Sequence, residues 1–389
     1  MPQRNVYPVF FLFLFAAAPL HPAGPSTIVW TAPAILIASM TIAWGAESAQ
    51  YFMAQGFALA ILAWMQTLPE FAVEAVLAWK QQAPLLIANL TGALRLLTGL
   101  GWPVIYFTAA LAHRRRHRTR LGSIKLEEHH AVEVIALLVA LIYIAVISAK
   151  GSLTIYDAIV LIAIYAAYLI VLGKLPPEKP ESIEDLPAVP RRIVLAGRGA
   201  RITAIAALFV CGGLLIYYSA EPFLASLLAI ATVLGIPSFL FIQWIAPLVS
   251  EFPEMASTIY FARTPTRAPM ALMNMVSSNI NQWTLLMAML PIVFSISAGS
   301  PMTIAFDSRQ RLEMLLTLGQ ALIGMVFLIN MELAWWEATA LLVLFLIPFT
   351  SQATEPFVAA AYLIWAAVEI MRIAQGRREP VALASFVKI

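Results

Sequence analysis

Long apolar runs separated by short polar stretches dominate the chain. A membrane-crossing helix needs roughly 20 mostly apolar residues, so runs of this kind predict an all-α polytopic membrane protein with about 10 to 12 transmembrane helices. The runs lie near residues 7–20, 28–45, 51–80, 84–112, 131–148, 153–173, 202–218, 238–262, 268–296, 313–330, 334–349 and 355–373.

The first run, near residues 7–20, has two interpretations. Arg4 precedes it and small residues follow, as in a signal peptide. Prolines surround the place where cleavage would occur, so we expect an uncleaved first helix.

The composition places the chain in lipid and excludes several functions. With 61% hydrophobic and 12% charged residues, it has too little polar surface for a soluble globule of 389 residues. The formal charge of +3 is small and indicates no nucleic-acid partner. Cys211 is the single cysteine, so an intrachain disulfide or a cysteine-based metal site cannot form. We expect the lipid bilayer and inorganic cations as partners, and no cofactor.

A polar, proline-rich stretch divides the chain into two halves. We predict an N-terminal transmembrane half over residues 1–172, a cytoplasmic linker over 173–201 and a C-terminal transmembrane half over 202–389. Arginine and lysine gather in the loop at 113–120, in the linker, near Arg263 and in the tail. With twelve spans, this distribution places those segments on the cytoplasmic side and makes the halves inverted relative to each other. We expect the chain in a bacterial or archaeal cytoplasmic (inner) membrane. The oligomeric state is not predicted.

A proline, a carboxylate and an amide recur in both halves. Thr67–Glu70 (TLPE) is followed by Ala83–Asn89, and Glu251–Glu254 (EFPE) is followed by Ala268–Asn274. The offset between the copies is about 184 residues. We expect the two repeats at about 51–112 and 220–296. Inverted repeats with helices interrupted at the midplane are the architecture of many secondary transporters.

The repeated residues suit a hard cation. Proline removes a backbone donor and clashes with the preceding turn, so Pro69 and Pro253 should break their helices inside the membrane. Glu70 and Glu254 would be costly there unless they face a cavity or bind a cation or a proton. Calcium takes six to eight oxygen ligands. We therefore predict that the two glutamates meet in one pocket with further oxygens from Thr67, Ser250, Ser278, Asn89 and Asn274.

At these residues the sequence resembles the calcium/cation antiporter (sodium/calcium exchanger) superfamily, as a divergent prokaryotic-type member. That superfamily carries patterns such as G-T-S-L-P-E and G-N-x-x-G-S-N-x-x-N/D in two repeats. The resemblance covers about 59–97 and 220–287. It implies that Glu70 and Glu254 are the central cation ligands, and that calcium or a related cation is exchanged against sodium or protons by alternating access.

The resemblance also implies further ligands and reveals departures. The family's hydroxyl positions correspond to Gln66 and Thr67 in the first copy and to Ser250 and Glu251 in the second. Its second-motif serine corresponds to Ala93 and Ser278, and its terminal Asn/Asp to Leu97 and Gln282. These departures remove oxygens from the first copy, so we expect altered ion coupling, with protons as one candidate.

Arg95 adds a cation near the first copy. Its guanidinium has two interpretations: it occupies a monovalent-ion site, or it pairs with Glu74, one helical turn beyond Glu70.

Two other classes of function remain open at this stage. The first is an intramembrane enzyme that acts on lipid-linked substrates, with buried carboxylates as acid and base. The sequence shows no nucleophile-plus-base pair and no HExxH motif to support it. The second is a transport-inactive membrane sensor or scaffold, which the altered first repeat makes conceivable. Antiport is the leading hypothesis, and the chain is expected not to be an enzyme.

Overall fold

The computed structural model describes residues 24–52, 67–175, 183, 186–264 and 267–388. The expected first helix at 7–20 and the candidate ligand Gln66 lie outside the described residues.

Apolar helices make up most of the described chain. Eight of the described helices are long and apolar enough to cross a bilayer: Pro25–Ala49, Ala83–His117, Glu128–Lys150, Ile155–Leu172, Arg198–Leu234, Ala268–Ala298, Ser308–Leu328 and Gln352–Ala374. Two shorter apolar helices, Ser238–Ser250 and Trp335–Phe349, accompany them. The predicted all-α polytopic membrane fold is confirmed.

The chain forms two compact units. The first comprises the described parts of Met1–Val76 and Pro177–Pro253, and the second those of Leu77–Pro176 and Glu254–Ile389. Each unit therefore draws on both halves of the sequence, and each is described separately below.

The first unit is built on two long helices, α1 (Ile28–Ala49) and α8 (Arg198–Leu234). Their shared core contains Ala34, Ala38, Ile42, Leu215 and Ile216. At Gly212 a Cβ would lie 2.6 Å from the Ile42 side chain, so only glycine allows the helices to approach this closely. The first unit also contains the start of α2 (Leu68–Trp79), the short α7 (Ala188–Val194) and α9 (Ser238–Ser250).

Helix α8 is longer than its apolar run predicts. The run ends near residue 218, but the helix continues through Pro222 and stops at Gly235, which adopts φ 66°. Helices commonly end at a glycine in the left-handed conformation, because glycine adopts a positive φ without a steric penalty.

The predicted helix break at Pro253 is confirmed. Helix α9 ends at Ser250, and α10 (Phe252–Ala262) begins after the single residue Glu251. Proline is the second residue of both α2 and α10, where its missing N–H has no helical partner to lose. Pro253 therefore starts a new helix rather than kinking a continuous one.

The second unit contains the same series of elements twice. The first series is α3 (Ala83–Leu96), a π-helical turn (Leu97–Gly101), α4 (Trp102–His117), β1 (Ser123–Lys125), α5 (Ala131–Lys150), β2 (Ser152–Leu153) and α6 (Ile155–Leu172). The second series is α11 (Ala268–Asn281), a π-helical turn (Gln282–Leu286), α12 (Met287–Ala298), β3 (Ile304–Ala305), α13 (Ser308–Leu328), β4 (Glu332–Ala334) and α14 (Trp335–Leu346). Helices α15 (Glu355–Ala374) and α16 (Val381–Phe386) follow.

The short strands show that the two series are inverted. Strand β1 pairs antiparallel with β4, and β2 pairs antiparallel with β3. Because β2 follows the end of α5 and β3 precedes the start of α13, the end of α5 meets the start of α13. The β1–β4 pair joins the opposite ends in the same way. Helices α5 and α13 are equivalent in the two series and run antiparallel, which confirms the predicted inverted repeat.

Candidate functional site

The clearest part of the candidate site joins α10 to α11. Ser278 donates a hydrogen bond from its hydroxyl to Oε2 of Glu254, with 2.8 Å between the oxygens. Both side chains are buried. A carboxylate in this position is costly unless it is hydrogen-bonded, protonated or bound to a cation. Glu254 and Ser278, two of the predicted ligands, therefore lie together.

A second hydrogen bond ties the first repeat to the residue beside Ser278. The Thr98 hydroxyl donates to Oδ1 of Asn279 over 3.1 Å, and Nδ2 of Asn279 donates to the Met275 carbonyl. Thr98 lies in the π-helical turn after α3, and Asn279 lies in α11. This contact positions α11 at Asn279, the residue next to Ser278, whose hydroxyl bonds Glu254.

Two further predicted ligands of the second unit, Asn89 and Asn274, lie at equivalent places in α3 and α11. Asn89 is buried and Asn274 is half-buried. Gln282 is fully buried and opens the second π-helical turn. Ala93 holds the Ser278 position in the first repeat, so α3 has no side-chain oxygen at that place.

Four predicted ligands belong to the first unit, and all are buried: Thr67, Glu70, Ser250 and Glu251. The Ser250 hydroxyl donates to the Ala246 carbonyl, so its oxygen lone pairs point elsewhere. Glu251 is the one residue between α9 and α10. Cation binding by these four residues, and the meeting of Glu70 with Glu254 in one pocket, stay predictions.

Both motif glutamates lie in the first turn of a helix, Glu70 in α2 and Glu254 in α10. The N-terminal N–H groups and the helix dipole stabilise negative charge at such positions. Across the described residues, no three acidic, histidine or cysteine side chains gather into a metal cluster. The Ser278 hydroxyl is a neutral oxygen next to the Glu254 carboxylate.

Arg95 belongs to a buried ion-pair network that the sequence analysis missed. Its Nη2 lies 2.8 Å from Oε2 of Glu313 in α13. Arg309 contacts the other oxygen of Glu313 at 2.8 Å and reaches Glu355 in α15 at 3.0 Å. Arg95 follows Asn89 by six residues, or about 240° around the helix. It therefore leaves α3 from a different face, toward α13.

A sequence signal for Glu313, one member of this network, exists. Glu133 lies in α5 and Glu313 in α13, and Asp157 and Glu337 are the third residues of α6 and α14. Each pair is separated by 180 positions. Because these carboxylates recur outside the Pro-Glu motif, a search for repeats along the whole chain would have found them.

Comparison with known proteins identifies the family. The family model described as "Sodium/calcium exchanger protein" matches twice, at residues 26–174 and 204–352. A crystal structure of the H+/Ca2+ exchanger CAX is 31% identical, with a TM-score of 0.89, and the alignment covers 99% of this chain and 95% of that one.

Two more distant structures share the fold. Native YfkE is 15% identical, with a TM-score of 0.58 and coverage of 91% of this chain and 99% of that one. The sodium-calcium exchanger NCX_Mj is 19% identical, with a TM-score of 0.52 and coverage of 84% and 97%. No curated protein matches the sequence.

The two family matches cover most of the chain, and they agree with the inverted repeat and with the 31% identical exchanger structure. The chain belongs to the sodium/calcium exchanger family and is an integral membrane cation antiporter.

Proposed function

We propose that this antiporter exchanges calcium for protons across a bacterial or archaeal cytoplasmic membrane and catalyses no chemical reaction. The observation that carries the proposal is the buried Glu254 carboxylate with the Ser278 hydroxyl 2.8 Å away, at the start of a helix that follows a break. The 31% identical structure is that of an H+/Ca2+ exchanger, which supports protons as the coupled ion.

Glu254 and Ser278 can bind either of two ions, calcium or a proton. With calcium bound, the carboxylate supplies charge and the hydroxyl oxygen turns a lone pair toward the ion. With a proton on Glu254, the carboxyl group is neutral and the Ser278 hydroxyl remains a hydrogen-bond partner. Calcium and a proton compete for the same oxygen, so binding of one releases the other.

The first repeat supports protons over sodium. Sodium must be held by several oxygens, whereas a proton needs only one basic atom. Ala93 and Leu97 place no side-chain oxygen at the positions that correspond to Ser278 and Gln282. With these oxygens missing, the chain has fewer places for sodium, while Glu70 and Glu254 can still take up protons.

The test is calcium flux in proteoliposomes that contain the purified full-length chain. We expect an outward or inward proton gradient to drive 45Ca2+ movement and an equal sodium gradient at constant pH to drive much less. Glu254→Gln and Glu70→Gln should each abolish the flux, because an amide neither carries a proton at these pH values nor supplies charge.

Glu128→Gln is the matched control, since Glu128 is an exposed carboxylate at the start of a helical segment. It should leave the flux unchanged. Flux driven equally by sodium would contradict proton coupling. The absence of flux for every cation and gradient would contradict transport itself and favour a sensor.

A further inference from the structure

The two π-helical turns of the second unit each receive a side-chain hydrogen bond at the same place. The carbonyl two residues before the turn accepts it: Arg95 in the first repeat and Ile280 in the second. A side chain that inserts into the i→i−4 ladder of a helix is a recognised cause of a kink. π-helical turns are frequent at functional sites.

The donors differ between the repeats. Thr284 bonds the Ile280 carbonyl at 2.5 Å from within its own turn. In the first repeat Gly99 holds the position of Thr284, and the donor is Nε2 of Gln320 in α13, at 3.0 Å from the Arg95 carbonyl.

Gly99 leaves room for Gln320. A Cβ at Gly99 would lie 2.4 Å from Nε2 of Gln320 and 2.6 Å from the Phe345 side chain, so no larger residue fits at this position. At the position of Gln320 in the other repeat, α5 has the small residue Ala140. Each repeat therefore combines one donor with one small residue, in opposite arrangements.

A continuous path leads from Gln320 to the candidate ligand Glu254. Gln320 holds the turn that begins after Arg95, and Thr98 in that turn donates to Asn279 at 3.1 Å. The next residue toward the N-terminus is Ser278, which donates to Glu254 at 2.8 Å. Every step lies within the second unit.

We propose that Gln320 is a positioning residue for cation binding. It acts through the first π-helical turn and the Thr98–Asn279 hydrogen bond, which together orient the Ser278 hydroxyl on Glu254. Gln320 itself does not touch the cation. The inference rests on the proposed function only in that it treats Glu254 as a cation ligand.

The experiment measures calcium affinity of the purified full-length chain by 45Ca2+ equilibrium binding, which does not depend on transport. Gln320→Ala should weaken binding about five- to tenfold, as expected when one orienting hydrogen bond is lost. Thr98→Val, which keeps the side-chain shape, should weaken it by a similar factor. The double variant should be no weaker than either single variant, because both changes interrupt one path.

A control variant separates positioning from general damage. The matched control is Thr317→Ala, one turn from Gln320, whose hydroxyl bonds the Glu313 carbonyl of its own helix. It should leave affinity unchanged.

Two results would overturn the inference: Gln320→Ala lowers thermal stability but leaves calcium affinity within twofold of wild type, or its effect multiplies with that of Thr98→Val. If Gln320→Ala does not fold, unchanged affinity in Thr98→Val is enough to overturn it. A wild-type chain that binds calcium but shows no proton-driven flux would contradict the proposed function and leave the positioning role intact. A wild type that binds no calcium would overturn both.

Discussion

The segments 83–117 and 268–298 have the same α–π–α backbone but opposite chemistry. Three positions show this contrast. Ala93 in the first segment corresponds to Ser278 in the second, the cationic Arg95 corresponds to the apolar Ile280, and Gly99 corresponds to Thr284. The first segment is attached to α13 by an ion pair and an amide hydrogen bond. The second donates a hydrogen bond from the Ser278 hydroxyl to Glu254. The same backbone therefore bonds α13 in the first repeat and Glu254 in the second.

The largest effect is expected for the ion pair between Arg95 and Glu313, which attaches the first segment to α13. Arg95→Met leaves the fully buried Glu313 with one cationic partner fewer, and breaking a buried ion pair from one side costs about 3–5 kcal/mol. The free energy of unfolding in detergent micelles, from a denaturant titration, measures this loss.

The second-repeat counterpart provides the control. Ile280→Met exchanges one buried apolar side chain for another of similar volume and should cost less than about 1.5 kcal/mol. Equal losses in Arg95→Met and Ile280→Met would show that the ion pair does not attach the first segment.

The next effect concerns ligand chemistry. Ser278→Ala removes a hydrogen bond to a charged group, worth about 1.5–3 kcal/mol, so the KM for calcium should rise roughly tenfold or more. Proton-driven 45Ca2+ uptake as a function of calcium concentration gives KM. Ala93→Ser adds the hydroxyl that the first repeat lacks and should lower KM or leave it unchanged. A higher KM in Ala93→Ser than in Ser278→Ala would reverse the assigned roles.

Helix capping gives a smaller contrast. Thr154 accepts a hydrogen bond from the Asp157 N–H and donates to its Oδ2 at 2.7 Å, whereas Ala334 holds the same place before Glu337 with a backbone N–H only. Thr154→Ala should therefore lower the free energy of unfolding by about 1 kcal/mol. The reverse change, Ala334→Thr, should raise it by no more than that. A loss above about 2 kcal/mol in Thr154→Ala would mean that the hydroxyl does more than cap α6.

The smallest effect is expected at the partly exposed ion pair between Lys150 and Asp157. Lys150 is 40% exposed and pairs with Asp157, so Lys150→Gln should cost less than about 1 kcal/mol in unfolding free energy and become neutral at high salt. Arg378 follows α15, pairs with Glu337 in α14 and Glu369 in α15, and is 9% exposed. Arg378→Gln should cost more than Lys150→Gln, and the opposite order would contradict the burial argument.

Local chemistry explains what the sequence reveals about the fold. Pro253 marks a helix start because proline lacks an N–H, and this property does not depend on what packs around it. The break before α10 could therefore be predicted. The glutamate of each motif could be singled out because a charge inside a long apolar run is costly. The inversion of the repeats followed from the side of the membrane on which arginines gather.

The remaining features depend on partners that are distant in sequence. The hydrogen bond at the first π-helical turn comes from Gln320, 225 positions after Arg95. The residues of the turn itself, 97–101, do not predict this partner. The pairing of Arg95 with Glu313 likewise depends on how α3 packs against α13. Ser278 could be proposed as a ligand from its place in the motif, but its bond to Glu254 required the packing of α10 on α11.

The exchanged strand pairs have a consequence for how the chain can be divided. Each two-stranded ladder takes one strand from each series, so neither series contains both members of a pair. A half-length fragment would present two unpaired strand edges at opposite ends of its helices. A chain cut in the linker should therefore reassemble as a one-to-one complex of its two halves.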